Sequence, residues 1–339
     1  PGLEYTMNDL VKVNLAKVFE VAYDESKADA GRTTERLWRS FASHLREAVR
    51  TAAEGIRHHL KYQKFNEPEL LLNLLSHGPV ERGLDMSHGG AQYYNMCIDG
   101  TGIATIADSF AAIAQRVERE HRLTFAEMYE AVKSNFAGPQ GEYIRMMLAA
   151  SERYGGGETL GDHWAKRISA SFTDQVNAMD EVFAPVKFIP GWFSWSNTIV
   201  LGKEVGATPN GRRDGEPINH GANPHPGFRR DGALTAMTNS ICAIQPGYGN
   251  TAPVQLELDP GMARGEEAVD KICDYILTLF SKGGTLLNIN IINAQQILAA
   301  NENPDLFPDL VVRVTGFTAY FCLLTPEFRK LVVDRILVA

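Results

Sequence analysis

The segment with the most distinctive chemical potential runs Asp309-Leu310-Val311-Val312-Arg313-Val314-Thr315-Gly316-Phe317-Thr318-Ala319-Tyr320-Phe321. One glycine interrupts two β-favouring runs, and such a glycine ordinarily marks a bulge or a close backbone approach. It also admits a chemical reading. Loss of one Cα hydrogen from glycine leaves a planar radical shared with the flanking amide nitrogen and carbonyl, and the missing side chain lets another reactive group approach. Apolar neighbours such as Val314 and Phe317 would shield that carbon from water. A second segment, Ala207-Thr208-Pro209-Asn210-Gly211-Arg212-Arg213-Asp214-Gly215-Glu216-Pro217, continues through Asn219 to Gly227 with Pro224 and Pro226. It is too rich in Gly, Pro and Asn to prolong a helix or a central strand. It reads as a long ordered loop: either a surface excursion, or a loop packed against a site and anchored by forked hydrogen bonds from Arg212 and Arg213. Trp192, Phe193, Trp195, Ser196 and Asn197 read as a mixed aromatic and polar strand. Trp195, Ser196 and Asn197 are its candidate substrate contacts, with ordinary packing as the alternative. Cys97, Cys242, Cys273 and Cys322 lie far apart without CxxC pairing, which fits reduced thiols better than a disulfide or zinc framework. Each reads as inert packing, Cys97 being the least improbable exception. His88, His220 and His225 flank Gly-rich turns, have no metal-ligand spacing and read as surface residues.

These blocks together resemble the C-terminal part of the glycyl radical enzymes, the pyruvate formate-lyase and diol dehydratase superfamily. Arg313-Val314-Thr315-Gly316-Phe317 is preceded, in the order that family shows, by Leu286-Leu287-Asn288-Ile289-Asn290-Ile291 and Thr208-Pro209-Asn210-Gly211-Arg212-Arg213. Gly89-Gly90-Ala91-Gln92-Tyr93 and Asp108-Ser109-Phe110-Ala111-Ala112-Ile113 lie further upstream. The resemblance implies an α/β fold, the C-terminal part of a ten-stranded β/α barrel made of two parallel five-stranded half-barrels, with an added helical layer. It divides the chain into a mainly helical part of the pyruvate formate-lyase-like domain at 1–190 and a glycyl radical domain at 191–339. It implies Gly316 as the radical-bearing residue, supported by Arg313, Val314, Thr315 and Phe317. No bound cofactor or metal is expected. The radical would be installed by a separate radical S-adenosylmethionine activase.

The same resemblance implies a thiyl-forming cysteine on a loop ahead of the helix that matches Val13-Asn14-Leu15-Ala16-Lys17-Val18-Phe19. No cysteine occurs in residues 1–12, so that thiol is expected to be missing from this chain, and the segment to be inactive alone. Where pyruvate formate-lyase places a carboxylate-gripping arginine, the nearest basic residue is Lys12, which lacks the planar fork. Elimination or bond cleavage by a dehydratase or decarboxylase is therefore expected, with formate C-acetyltransferase activity as one alternative. A non-catalytic, radical-carrying or interaction module completing a cysteine-bearing chain is a second. An unrelated α/β metabolic enzyme, in which Gly316 is a plain bulge, is a third.

The elements that must position these residues differ between the halves. Leu37, Phe41, Leu45, Val49, Ala52, Ile56 and Leu60 mark a long amphipathic helix. Ile106, Phe110, Ile113 and Val117 mark another, Thr124 and Glu127 a capping box, and a further helix is expected from Asp162 to Phe183. A short buried strand is predicted at Tyr93 to Ile98. The second half predicts strands at Phe193 to Leu201, Ser240 to Ile244, Leu286 to Ile292 and Leu310 to Leu324, with helices at Glu266 to Ser281, Asn293 to Asn301 and from Pro326. The chain of 339 residues carries a formal charge of −8 without a concentrated basic block, which argues against nucleic-acid or anionic-membrane partners and for a small-molecule substrate. No secretory or membrane-spanning segment is evident, so a cytoplasmic location is expected, and a homodimer is one expected assembly. The chain opens on Pro1 without an initiator Met, which reads as a fragment.

Overall fold

A computed structural model describes residues 9–26, 33–183, 186–192, 197–225, 234–247, 249, 251–261, 264–314 and 317–336. The apolar spacing of the first half becomes helix as expected. Thr33 caps the helix Thr34–Asn66 by accepting from the Arg36 amide, and Leu37, Phe41, Leu45, Val49, Ala53, Ile56 and Leu60 form its buried stripe. Every residue of the helix Ile103–Ile113 is buried, so it is the axis of the main core. There Phe110 stacks on Trp164 of the helix Leu160–Asn177, with ring centroids 4.6 Å apart. Thr124 and Glu127 exchange hydrogen bonds at the start of the helix Phe125–Lys133, as their spacing predicts.

Three parallel strands, β1 (Asp9–Asn14), β2 (Asn95–Thr101) and β3 (Lys187–Gly191), form a sheet in the order β1-β2-β3. Parallel neighbours need long crossovers, and the helices Leu15–Glu25 and Thr34–Asn66 supply the one between β1 and β2. Val13, Met96, Ile98 and Phe188 join the helices in the main core. Gly100 admits the Trp192 ring beside β2, since a Cβ there would sit 2.4 Å from it. Beyond this sheet, β4 (Pro253–Leu258) and β5 (Leu286–Ile291) pair in parallel across the helix Glu266–Ser281. β6 (Val311–Arg313) and β7 (Thr318–Tyr320) make an antiparallel hairpin. The hairpin packs with the helices Ala294–Glu302 and Pro326–Ile336 around a second, smaller core that includes Ile297, Val312, Val314, Phe321 and Val332.

The mixed α/β character matches expectation; the ten-stranded barrel of two parallel five-stranded halves with an added helical layer does not. Sheets of three, two and two strands are present among the described residues, and none closes. Closure needs every strand to be paired on both sides, and here only β2 is. Two predicted strands are helical where they are described, Phe193 to Ser196 lying outside the described residues. The run Phe193 to Leu201 enters the helix Asn197–Lys203, whose buried Thr198, Ile199 and Gly202 follow helical spacing, and Ser240 to Ile244 overlaps the helix Leu234–Cys242. Short apolar runs carry too few residues to separate the two periods. The predicted helix to Phe183 ends at Asn177 and a short helix, Met179–Val182, follows. Leu310 to Leu324 divides into the two hairpin strands and a tight turn, Phe321–Leu323. No helix among the described residues is long and apolar enough to cross a membrane.

Candidate active site

The hairpin is built from alternation. Val312 and Val314 are fully buried in the small core, while Arg313 between them points the other way, toward β5. Asn288 and Asn290 project from one face of β5, two residues apart, as strand geometry requires. The Arg313 backbone N–H donates to Asn290 Oδ1 at 3.4 Å, and its Nε to Asn288 Oδ1 at 3.4 Å. Its remaining fork crosses the hairpin to Thr318 Oγ1 at 3.1 Å. One arginine thus ties both hairpin strands to β5. The Val314 N–H donates to the Phe317 carbonyl at 3.0 Å, so the ladder closes on either side of Thr315 and Gly316, both of which lie outside the described residues. Phe317 is partly exposed.

The long loop is packed, and its two arginines do different work. Arg212 is 5% exposed and donates to the carbonyls of Gly202 (2.7 Å), Gly206 (2.7 Å) and Glu216 (2.9 Å). Burial lowers its pKa to about 10, against the attraction of Glu216 and Asp214. Arg213 reaches the Asn135 carbonyl at 3.0 Å and pairs with Glu142. Gly211 holds φ at +89°, a conformation that glycine adopts without strain. Farther along, Asn219 caps the helix Ile103–Ile113 from outside: its Oδ1 accepts from the Thr105 N–H at 3.0 Å, and its own N–H donates to Thr105 Oγ1 at 3.1 Å. Asn223 then pairs with β4, donating to the Gln255 carbonyl at 2.9 Å and accepting from its N–H at 2.8 Å. Main core, loop, β4, β5 and hairpin form one hydrogen-bonded sequence.

Asp108 escaped sequence reading as a buried carboxyl, and two histidines along this route were misread. Asp108 is 2% exposed, accepts from the Tyr154 N–H at 2.8 Å and lies 3.6 Å from the Arg153 guanidinium. Burial outweighs that arginine and raises its carboxyl to about 7. His220 and His225, read as surface residues, are instead drawn inward. Burial lowers each to about 3, helped by Arg335 near His220 and by Arg153 and Arg212 near His225. His225 Nε2 lies 2.9 Å from Thr105 Oγ1. His88 is exposed, as expected.

The remaining candidates separate. Trp192 is a core residue, its Nε1 donating to Ser169 Oγ (3.2 Å) and the Ile244 carbonyl (3.1 Å). Trp195 and Ser196 lie outside the described residues, and Asn197 is exposed at the first turn of its helix. Lys12 lies on β1, just ahead of the helix Leu15–Glu25 and opposite Asp99 of β2. Cys97 is fully buried on β2 and donates to Asp99 Oδ1 at 2.9 Å. Cys242 is helical rather than in a strand, Cys273 is exposed, and the Cys322 thiol points to the Pro308 carbonyl at 3.6 Å. Among the described residues, no group of three or more His, Cys, Asp or Glu could hold a metal ion.

Comparison with known proteins places the chain in a family. Residues 2–202 match the model of the family described as pyruvate formate lyase-like, and residues 218–322 that described as glycine radical. The chain is 28% identical over 239 residues to the isethionate sulfite-lyase of Oleidesulfovibrio alaskensis, covering 69% of this chain and 28% of the relative. It is 24% identical over 301 residues to the trans-4-hydroxy-L-proline dehydratase of Clostridioides difficile, covering 89% and 38%. A glycyl radical enzyme of Archaeoglobus fulgidus superposes with a TM-score of 0.86 at 26% identity over 99% of this chain and 44% of that one. The chain therefore spans less than half the length of these relatives. With both family models matched in order, and the glycine-radical match enclosing the Arg313-anchored hairpin, the chain belongs to the glycyl radical enzyme family, the pyruvate formate-lyase and glycerol dehydratase superfamily.

Proposed function

We propose that this chain is the radical-carrying part of an anaerobic lyase of the dehydratase or decarboxylase type, acting on a small metabolite. Gly316 is the radical residue. The carrying observation is the fixed hairpin stem: Arg313 held by Asn288, Asn290 and Thr318, and the ladder closed at Val314 and Phe317 on either side of Gly316. Transfer of a hydrogen atom from a thiol to the Gly316 Cα restores the glycine and leaves a thiyl radical, which takes a hydrogen atom from the substrate. The four cysteines of this chain have packing or surface environments, so the thiol is assigned to a residue outside these 339. A radical S-adenosylmethionine activase supplies the first oxidation. Residues 1–190 serve as scaffold and 191–339 as the radical domain, with Trp195 and Ser196 near the substrate.

Anaerobic activation of the intact protein, followed by electron paramagnetic resonance, tests the assignment. A carbon-centred signal is expected that is lost in Gly316→Ala, and oxygen exposure should cleave the activated backbone at that residue. A signal of unchanged amplitude in the variant would sink the assignment.

A further inference from the structure

Two arginines carry polar contacts from the small core to the β4–β5 pair. One is Arg313, which stands opposite Thr318 at a position where its backbone N–H turns away from β7 and toward Asn290. The amides of Val314 and Phe321 bond within the hairpin instead. The other is Arg335, which reaches back from the helix Pro326–Ile336 and lies 3.5 Å from Glu257 of β4. Helix and hairpin share the small core, so the two arginines belong to one packed unit. Their contacts on the sheet converge, because Glu257 and Asn290 are in register across β4 and β5.

The place is dry. Asn290 is 7% exposed, and the side chains of Glu257 and Arg335 are 10% and 11% exposed. Burial raises the Glu257 carboxyl, while Arg335 and hydrogen bonds from Gln255 and Asn290 draw it back. The bond from Gln255 Nε2 to Glu257 Oε1 is 3.1 Å long. His220 lies near Arg335, but burial lowers it to about 3, so it is neutral and brings no second cation. A side-chain amide has one donating end and one accepting end. With its NH2 group on the Glu257 carboxylate, Asn290 presents Oδ1 to the Arg313 N–H at 3.4 Å. The reverse orientation would set donor against donor at Arg313 and oxygen against oxygen at Glu257. The Glu257 charge thus decides which way the amide faces, and Arg335 is the counter-charge that lets it stay buried.

We propose that Arg335 and Glu257 are positioning residues for the hairpin: their ion pair sets the Asn290 amide, and that amide fixes the Arg313 backbone. As support for the radical-bearing turn this rests on the function proposed above; as positioning of the hairpin it stands alone. Amide hydrogen exchange on the whole chain, without activation, tests it, with urea unfolding alongside to confirm folding. Arg335→Met strands a buried carboxylate and should speed exchange of the Arg313 amide at least tenfold. Adding Glu257→Gln removes that charge but keeps an oxygen for Asn290, and should bring the rate back to within about threefold of native. Adding Glu257→Leu instead should leave it at least tenfold fast. Val314 and Phe321 should keep their native rates throughout, which a general loosening would not allow. Should Arg335→Met alone not fold, the two double variants, neither with a lone buried charge, make the comparison. No radical is formed in this test, so a failed Gly316 assignment leaves its result standing. Equal loss of protection at all three amides, no rescue by Glu257→Gln, or a native Arg313 rate with Glu257→Leu would overturn the proposal.

Discussion

The β1-β2-β3 region and the β4-to-β7 region are held together by different physics. Around β2, all seven strand residues are buried, and the aromatic rings of Phe19, Trp38, Phe41, Phe110 and Trp164 pack edge and face in one core. The hairpin has a small core of its own and meets β5 through amide and guanidinium groups. Apolar packing is strong and weakly directional; hydrogen bonds contribute less net free energy but fix orientation. The first region therefore sets overall stability, and the second sets where the hairpin tip points.

The largest expected effect tests that division directly. Phe110→Ala removes a ring that touches Phe19, Trp38, Phe41 and Trp164, and should cost about 3–5 kcal/mol in urea unfolding of the whole chain. Phe321→Ala, in the small core, should instead raise amide exchange in the hairpin and leave the main transition nearly in place. If both substitutions lower one common transition equally, the two cores are a single cooperative unit and the contrast is wrong.

Next in size is a pH effect confined to the main core. Asp108 titrates near 3.8 when unfolded and at about 7 when folded, so the folded state holds its proton more tightly. The stabilising preference is complete below 3.8 and is lost as pH rises toward about 7. Between those limits one proton is released on unfolding, so stability should fall with a slope of at most about 1.4 kcal/mol for each pH step of one. Asp108→Asn should flatten that fall. Chemical denaturation from about pH 4 to about pH 8 measures it; an unchanged slope in the variant would remove Asp108 as its source. Arg212→Met is expected to cost about 1–3 kcal/mol, because the carbonyls of Gly202, Gly206 and Glu216 lose their donor in a buried site. Full stability in that variant would mean that the loop repacks around water.

Much of the first region was legible because its signals are long. A stripe from Leu37 to Leu60 repeats often enough to specify a helix, and the Thr124 to Glu127 box is local chemistry. Gly316 and its arginine were singled out by the resemblance of several ordered blocks to a family, since a lone glycine between two β-favouring runs reads first as a bulge. The hydrogen-bonded route from Thr105 through Asn219, Asn223 and Gln255 was illegible, since its partners are separated by up to 114 residues and each is an ordinary polar residue taken singly. Asn197 failed as a strand residue because a short apolar run fits either period. The closed barrel was implied by the family resemblance alone, and no local pattern specifies pairing partners. The burial of His220 and Arg335 depends on strands and a helix meeting at one point.

The smallest expected effect is the sharpest test of the second region. Arg313→Lys keeps the charge and the backbone bond to Asn290, but an ammonium cannot span Asn288 and Thr318 with a planar fork. The loss should be about 1 kcal/mol, too small to shift global unfolding clearly. It should appear locally, as faster hydrogen exchange at the amides of Val314 and Phe321, which close the ladder onto the Phe317 and Leu310 carbonyls. Because the small core is untouched, Val312 should stay buried, so exchange would report a loosened orientation without loss of packing. If Val314 and Phe321 exchange at the native rate in Arg313→Lys, then the hairpin is aimed by its apolar core alone, and the two regions obey the same physics after all.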